Sequence, residues 1–297
     1  MAADKGTATG LALAGSTTAG EGSSTRRVPL PFEDIAGAAS LAEETSYEVL
    51  FVPDHGVWDP FSLLASLALR TSRLRLAPGV VTTTSRDPAA MAAAAVTLDV
   101  VSGGRAILGL GSGRERGIDR VAHAVEQVRR RLQGRRIPIR LAALGPRMVE
   151  LAGRVADGVV LNWCTPERVA RARAELARGA EAAGRDPGSV TVAVYVRACL
   201  GHDEAHALEA LRRAAALYAS LPSYRRQLDR EGLGTDPDAL VRALCVWGDR
   251  DEALDRLAAW REAGADLVVV YPETAQEPAS SLMGTIMAAA PDPAVEH

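Results

Sequence analysis

Between Arg73 and Gly113 the chain reads RLRLAPGVVTTTSRDP, then an alanine-rich segment, then SGGRAILGLGSG, and no other stretch narrows the choice of fold as much. Two short apolar runs, Leu74–Ala77 and Ala106–Leu110, each end in a glycine-containing turn. Pro88–Val101 between them has helical composition, with Pro88 suited to a first turn and Gly103-Gly104 to a stop. Strand, helix, strand at this length is a parallel βαβ crossover. Glycine and polar residues gather after each strand, at the edge where α/β sheets build their sites. Ligand chemistry is therefore expected at Gly79–Arg86 and Gly111–Arg114.

The same alternation runs through the rest of the chain. Thr9–Ala14 reads as a first strand and Glu48–Pro53 (EVLFVP) as a second, followed directly by Asp54-His55. Ile137–Ala143, Gly158–Asn162, Val190–Leu200 and Asp266–Tyr271 supply the fifth to eighth strands. Helices are expected at Glu33–Thr45, Phe61–Arg70, Asp119–Leu132, Arg147–Ala156, after Thr165-Pro166, at Asp249–Ala263 and near Ser281–Ala290. The Ser/Thr/Gly-rich stretch 15–31 reads as a long flexible loop after strand 1. Residues 203–246 are too long for a simple crossover and read as a helical rim insertion after strand 7. Eight βα units across 297 residues favour one α/β domain, a (β/α)8 TIM barrel, over a doubly wound sheet.

Composition removes several functions. A net charge of -3 gives no basic excess for nucleic acid or an anionic membrane. No apolar run approaches the ~20 residues that span a bilayer, so a soluble, cytoplasmic protein is expected. Cys164, Cys199 and Cys245 lie far apart, match no zinc spacing and read as buried structural thiols. Lys5 is the only lysine, which leaves no strand-borne amine for Schiff-base chemistry.

The strand ends decide what chemistry remains. The histidines are scattered, only His55 and His202 lie at strand ends, and no metal-ligand set is visible. Glu115 and Glu273 have no context that makes them a glycosidase pair. What is left is a rim of glycine, hydroxyl and backbone groups with one Asp54-His55 pair, suited to a flat, phosphorylated cofactor that brings its own reactivity. Gly145-Pro146 opens a helix and offers unpaired N–H groups to a phosphate, or is simply a helix entry. His55 can donate or accept a proton, with Asp54 to orient it, or be a structural histidine. Trp58 and Trp163 wall an apolar pocket or pack the barrel mouth. GLGSG at 109–113 lacks the GxGxxG form of a dinucleotide fingerprint.

The segments VPDH (52–55), LAPGVVTTTSRDPAAMA (76–92), SGGRAILGLGSG (102–113) and AALGPRMVELAGRVADGVVLNW (142–163) resemble the luciferase-like monooxygenase superfamily. Within it they are most similar to the coenzyme F420-dependent branch, which includes methylenetetrahydromethanopterin reductases and deazaflavin-dependent glucose-6-phosphate dehydrogenases. The resemblance covers nearly the whole chain, is specific for the superfamily and says little about substrate. It implies a TIM barrel holding a deazaflavin or flavin at the strand C-termini. It further implies a non-prolyl cis peptide at Gly79–Val80 beneath the ring, with Val81 and Thr82 continuing along it. Ala142, Ala143, Leu144 and Gly145 match the phosphate-side loop, Gly113 the strand-4 turn, and Asp54 a cofactor head-group contact. His55 matches a proposed acid/base and Trp58 a substrate-side tryptophan; Trp163 joins them at the pocket.

Two departures stand out. Arg114 takes the place of a glutamate found in the sugar-phosphate dehydrogenases, which argues against their reaction and puts Arg114 on the substrate side. The region between Gly113 and Ile137 is shorter than in many relatives, which leaves the mouth more open or closed by residues 15–31. The resemblance leaves three readings of the activity. The first is an F420-dependent oxidoreductase moving a hydride between deazaflavin C5 and a small organic substrate, by reduction of a C=N (imine or pyrroline) or C=C bond, as in natural-product biosynthesis. The second is an FMN-dependent monooxygenase with O2 and a partner reductase, and the third a non-catalytic barrel. Dimers are common in the family, so a homodimer is expected, although helix composition marks no interface.

Overall fold

The computed structural model describes residues 8–19, 26–55, 57–113, 117–275 and 277–291. In chain order the first half holds β1 (Ala8–Ala12), β2 (Ser16–Ala19), β3 (Arg26–Pro29), α1 (Phe32–Glu44), β4 (Val49–Val52), α2 (Pro60–Ala68), β5 (Arg75–Pro78), β6 (Val81–Thr82), α3 (Pro88–Val101), β7 (Leu108–Gly111) and α4 (Ile118–Arg131). The second half holds β8 (Ile139–Ala142), α5 (Pro146–Val155), β9 (Gly158–Asn162), α6 (Pro166–Ala182), β10 (Thr191–Leu200), α7 (Glu204–Ser220), α8 (Pro222–Arg230), α9 (Pro237–Leu244), β11 (Cys245–Gly248), α10 (Arg250–Glu262), β12 (Leu267–Pro272) and α11 (Pro278–Ala288).

The helix starts explain themselves. Asp59, Asp87, Thr165 and Asp236 each cap a helix by accepting a backbone N–H, from Ser62, Ala89, Arg168 and Ala239, and each is followed by a proline in the first turn. Such a pair satisfies an orphan donor and places the residue that lacks one where none is needed. The strands between are short and buried on both faces, as parallel strands covered by helices must be.

Parallel strands run in the order β5-β4-β1-β12-β10-β9-β8-β7, with β6 added beyond β7. A parallel bridge between Leu76 and Ala106 joins β5 to the residues entering β7, so the sheet curls into a nearly closed barrel. At this seam Leu76 and Ile107 exchange backbone bonds with Arg105 and Leu76, each 2.9 Å. Arg105 reinforces it, its guanidinium donating to Ser102 O, Thr71 Oγ1, Leu74 O, Ala68 O and Thr71 O.

Alternate residues on each strand serve two cores. Along β10, Val192, Val194 and Val196 face the helices, whereas Ala193 and Tyr195 face the barrel interior with Phe51, Val269 and Tyr271. The register sets Phe51 opposite Ala12 and Ala77, and Arg197 opposite Tyr271. Asp157 and Asp266 bind backbone N–H groups of Ile139 and Val192 at the strand starts and pair with Arg129 and Arg173. That end of a barrel is the one that carries stability.

Two expectations need correction. Within the stretch 15–31, expected as a flexible loop, the described residues form two strands, β2 and β3, that pair antiparallel with Ser16 opposite Pro29 and Ala19 opposite Arg26. The rim insertion is helical only as far as Leu244. Cys245–Gly248 is a strand that pairs parallel with residues 197–200 of β10. Its partner β9 covers only residues 191–195 of β10, so β11 takes over that edge nearer the rim. No helix among the described residues is long and apolar enough to cross a membrane.

Candidate active site

The turn after β5 forms the floor of the barrel mouth. The Gly79–Val80 peptide is cis, as the resemblance implied. Gly79 donates its N–H to Val52 O at 2.8 Å, and its carbonyl accepts from the Tyr195 hydroxyl at 3.3 Å. A Cβ at residue 79 would collide with that hydroxyl and come within 3.0 Å of Phe51, so only glycine fits. Burial pushes Tyr195 well above the ordinary tyrosine range, with Tyr271 beside it adding to the effect, so it remains a neutral donor. The Val80 side chain leans on β7: a Cβ at Gly109 or at Gly111 would stand 2.9 Å from one of its methyl groups. The glycines of GLGSG therefore make room for the turn after β5. Val81 is fully buried and pairs with Leu110, and Thr82 pairs with Gly111. Gly113 adopts φ +71°, with its α-carbon against Thr84.

His55, at the end of β4, has a phenol for a partner. His55 Nε2 lies 2.7 Å from Tyr271 Oη, at the end of β12. Asp54, expected to orient His55, makes no hydrogen bond of its own among the described residues; Tyr271 takes that place. Trp58 donates to Gly15 O at 2.8 Å and packs on the entry to the β2–β3 pair, so its indole joins the first and second strand ends. Arg114 and Glu115 lie outside the described residues.

On the β8 side, Ala142, Ala143, Leu144 and Gly145 lead into α5. Gly145 is its N-cap and Pro146, which has no N–H, its first residue; Met148 and Val149 donate back to Gly145 O and no side chain caps the turn, so among the described residues the Arg147 N–H is the first-turn donor left open. Arg230, from α8, reaches over this turn. It donates to Leu144 O at 3.3 Å, and a Cβ at Gly145 would lie 2.8 Å from its NH1. A helix N-terminus beside a guanidinium is a place that can hold an anion. Arg230 escaped sequence reasoning because it sits 85 residues downstream of the loop it covers.

The β9–β10 wall was the larger omission. Arg197 is only 2% exposed and is enclosed by aromatic rings, its Cζ 3.4 Å from the ring centroid of Tyr271, 4.9 Å from Tyr218 and 5.5 Å from Trp163. Its Nε lies 3.1 Å from Glu273 Oε1, as an ion pair whose angle is not that of a hydrogen bond. Among the described residues neither NH1 nor NH2 has a hydrogen-bond partner. Burial works against the charge, but Tyr218, Tyr271 and Glu273 outweigh it and hold the guanidinium protonated, its pKa above the ordinary arginine value. Trp163 is buried at φ +52°, its carbonyl held by Gln227 Nε2 at 2.6 Å, while Asn162 Nδ2 donates to Tyr224 Oη at 2.9 Å. All three cysteines are buried and unpaired, as expected; burial pushes Cys164 up to about 12 and Cys199 up to about 11.

Four likenesses to known proteins stand beside this geometry. The model of the family described as luciferase-like monooxygenase matches residues 10–133 and 116–267. A 5,10-methylenetetrahydromethanopterin reductase of Methanolobus tindarius is 33% identical over 253 residues, covering 74% of this chain and 77% of that protein. Among solved structures, the coenzyme F420 dependent tetrahydromethanopterin reductase of Methanopyrus kandleri superposes with a TM-score of 0.77 at 23% identity, over 96% of this chain and 98% of that one. An F420-dependent secondary alcohol dehydrogenase in complex with an F420–acetone adduct gives 0.75 at 17% identity, over 96% and 99%.

Proposed function

Because the chain belongs to the luciferase-like monooxygenase family, we propose that it is a coenzyme F420-dependent oxidoreductase acting on a small organic substrate. The observation that carries the reading is the anion seat at Gly145 and Arg230, which opens on the same barrel mouth as the His55–Tyr271 pair. The names borne by its relatives support F420 over FMN, since a reductase shares a third of its aligned residues and two F420-dependent enzymes share its fold.

The residues present fit such a group. Gly145 and Arg230 would hold a phosphate, and the turn at Gly79, Val80, Val81 and Thr82 would lie along the flat ring, with Asp54 at its head group. When bound, the deazaflavin supplies or accepts a hydride at C5. The chain supplies the rest. His55 holds a proton at Nε2 or Nδ1 for the substrate atom that gains negative charge, and Tyr271 fixes the plane of the imidazole. Trp163, Trp58 and Phe51 exclude water from the reacting centre. A C=N or C=C bond, reduced by hydride on one atom and proton on the other, is the substrate chemistry this arrangement suits.

Separate titrations with F420 and FMN test the assignment. F420 should bind in the micromolar range and FMN should not; the reverse would make the protein an FMN-dependent oxygenase, and binding of neither would leave a non-catalytic barrel. Arg230→Ala should weaken F420 binding about tenfold and flatten its salt dependence, as expected for one lost charge-assisted contact to a phosphate.

A further inference from the structure

We propose that Arg197 is the recognition point for a carboxylate on the substrate, so that the molecule reduced is an organic acid. The inference rests on the oxidoreductase reading for what happens at the other end of the substrate, but the binding site stands on its own geometry.

A buried arginine normally spends its donors. Here NH1 and NH2, with four N–H groups between them, have no acceptor among the described residues, although the residue is 2% exposed. Leaving donors buried and unpaired is costly, so an acceptor that arrives with a ligand gains correspondingly. Trp163 Nε1 is a further buried donor without a partner among the described residues, on the same wall. Glu273 stands at Nε, which leaves the two-pronged end of the guanidinium buried and without an acceptor among the described residues.

The shape of this end selects the ligand. Two parallel N–H prongs match the two coplanar oxygens of a carboxylate. A phosphate dianion would want a second cation, and Arg197 is the one cation among the described residues that stacks on this cage. The cofactor's own phosphate has a different seat, at the end of β8, two strands away. The cage faces are aromatic, so the body attached to the carboxylate is flat or apolar.

Position links the site to chemistry. The guanidinium lies over the ring of Tyr271, and the hydroxyl of that same ring meets His55. An acid anchored at Arg197 therefore has its reducible bond within one tyrosine's reach of the proton donor.

The test compares benzoate with benzamide, two flat probes of equal size that differ in charge, by calorimetry on the full chain with and without F420. Benzoate should bind the wild-type protein at least about tenfold more tightly than benzamide. Arg197→Met keeps the stem, removes the fork and should erase that preference while leaving F420 binding unchanged. Arg197→Lys should restore part of it. No binding of benzoate, equal binding of the two probes by the wild-type chain, or a preference that survives in Arg197→Met would each overturn the proposal. The wild-type comparison stands even where a variant fails to fold. F420 titrated alone reports on the oxidoreductase reading, so failure of one conclusion is distinguishable from failure of the other.

Discussion

Single side chains at the barrel mouth carry the sharpest consequences. Gly79→Ala forces a methyl group into the Tyr195 hydroxyl and against Phe51, both fixed in the barrel interior. The expected cost is about 2 kcal/mol, read as a lowered urea midpoint, together with loss of cofactor affinity. His55→Ala should lower kcat roughly a hundredfold or more with F420 affinity intact, because a proton donor is lost and no cofactor contact. Tyr271→Phe should lower kcat less and shift the pH profile of kcat, since the imidazole loses the partner that positions it; an unchanged profile would make Tyr271 mere packing. His55, Gly79 and the loop before α5 were legible in the sequence because they sit in strand-end motifs. Arg197 and Tyr271 were not, because they lie inside the apolar runs TVAVYVRACL and LVVVYP, where periodicity reports burial and says nothing of purpose. A signal was present all the same. A lone arginine in a strand of ten otherwise uncharged residues has to be explained by a partner or a ligand.

At the level of elements, the connections hold more than the sequence suggested. Glu43, near the end of α1, accepts the backbone N–H groups of Ser72, Arg73 and Leu74 and so ties that helix to the turn before β5. Partial burial pushes its pKa up, but Leu74, Arg73 and Ser72 outweigh this and lower it from 4.5 to about 2. A depressed carboxyl stabilises the fold above its unfolded value and stops doing so as pH falls through its folded one. Wild-type stability should therefore drop between about pH 4.5 and 2, and Glu43→Gln should be weaker at neutral pH and less sensitive across that window, as checked by urea midpoints at each pH. The β2–β3 pair escaped prediction because STTA and RRVP are short, polar and flanked by serine and glycine, the marks of a loop. β11 escaped because CVWG continues directly from α9, and four apolar residues after a helix look like its last turn.

For the whole molecule, the alternation of strands and helices was enough to predict the barrel, since a parallel crossover leaves few alternatives. How thinly the successive strands β5 and β7 would meet was not predictable, because the pattern gives the crossover and not the number of bonds across it. The seam between β5 and β7 has a single bridge and leans on the five bonds of Arg105. Arg105→Ala should cost about 3 kcal/mol and raise amide exchange first at Leu76 and Ile107, the residues bonded across it. The opposite side of the mouth is organised differently. Glu204–Leu244 is one continuous piece of chain, yet it supplies Arg230 above the β8 turn as well as Tyr218, Tyr224 and Gln227 along the β9–β10 wall. Such a piece is a cassette: exchanging it between related genes would replace two walls of the pocket in one recombination event and leave the barrel strands as inherited.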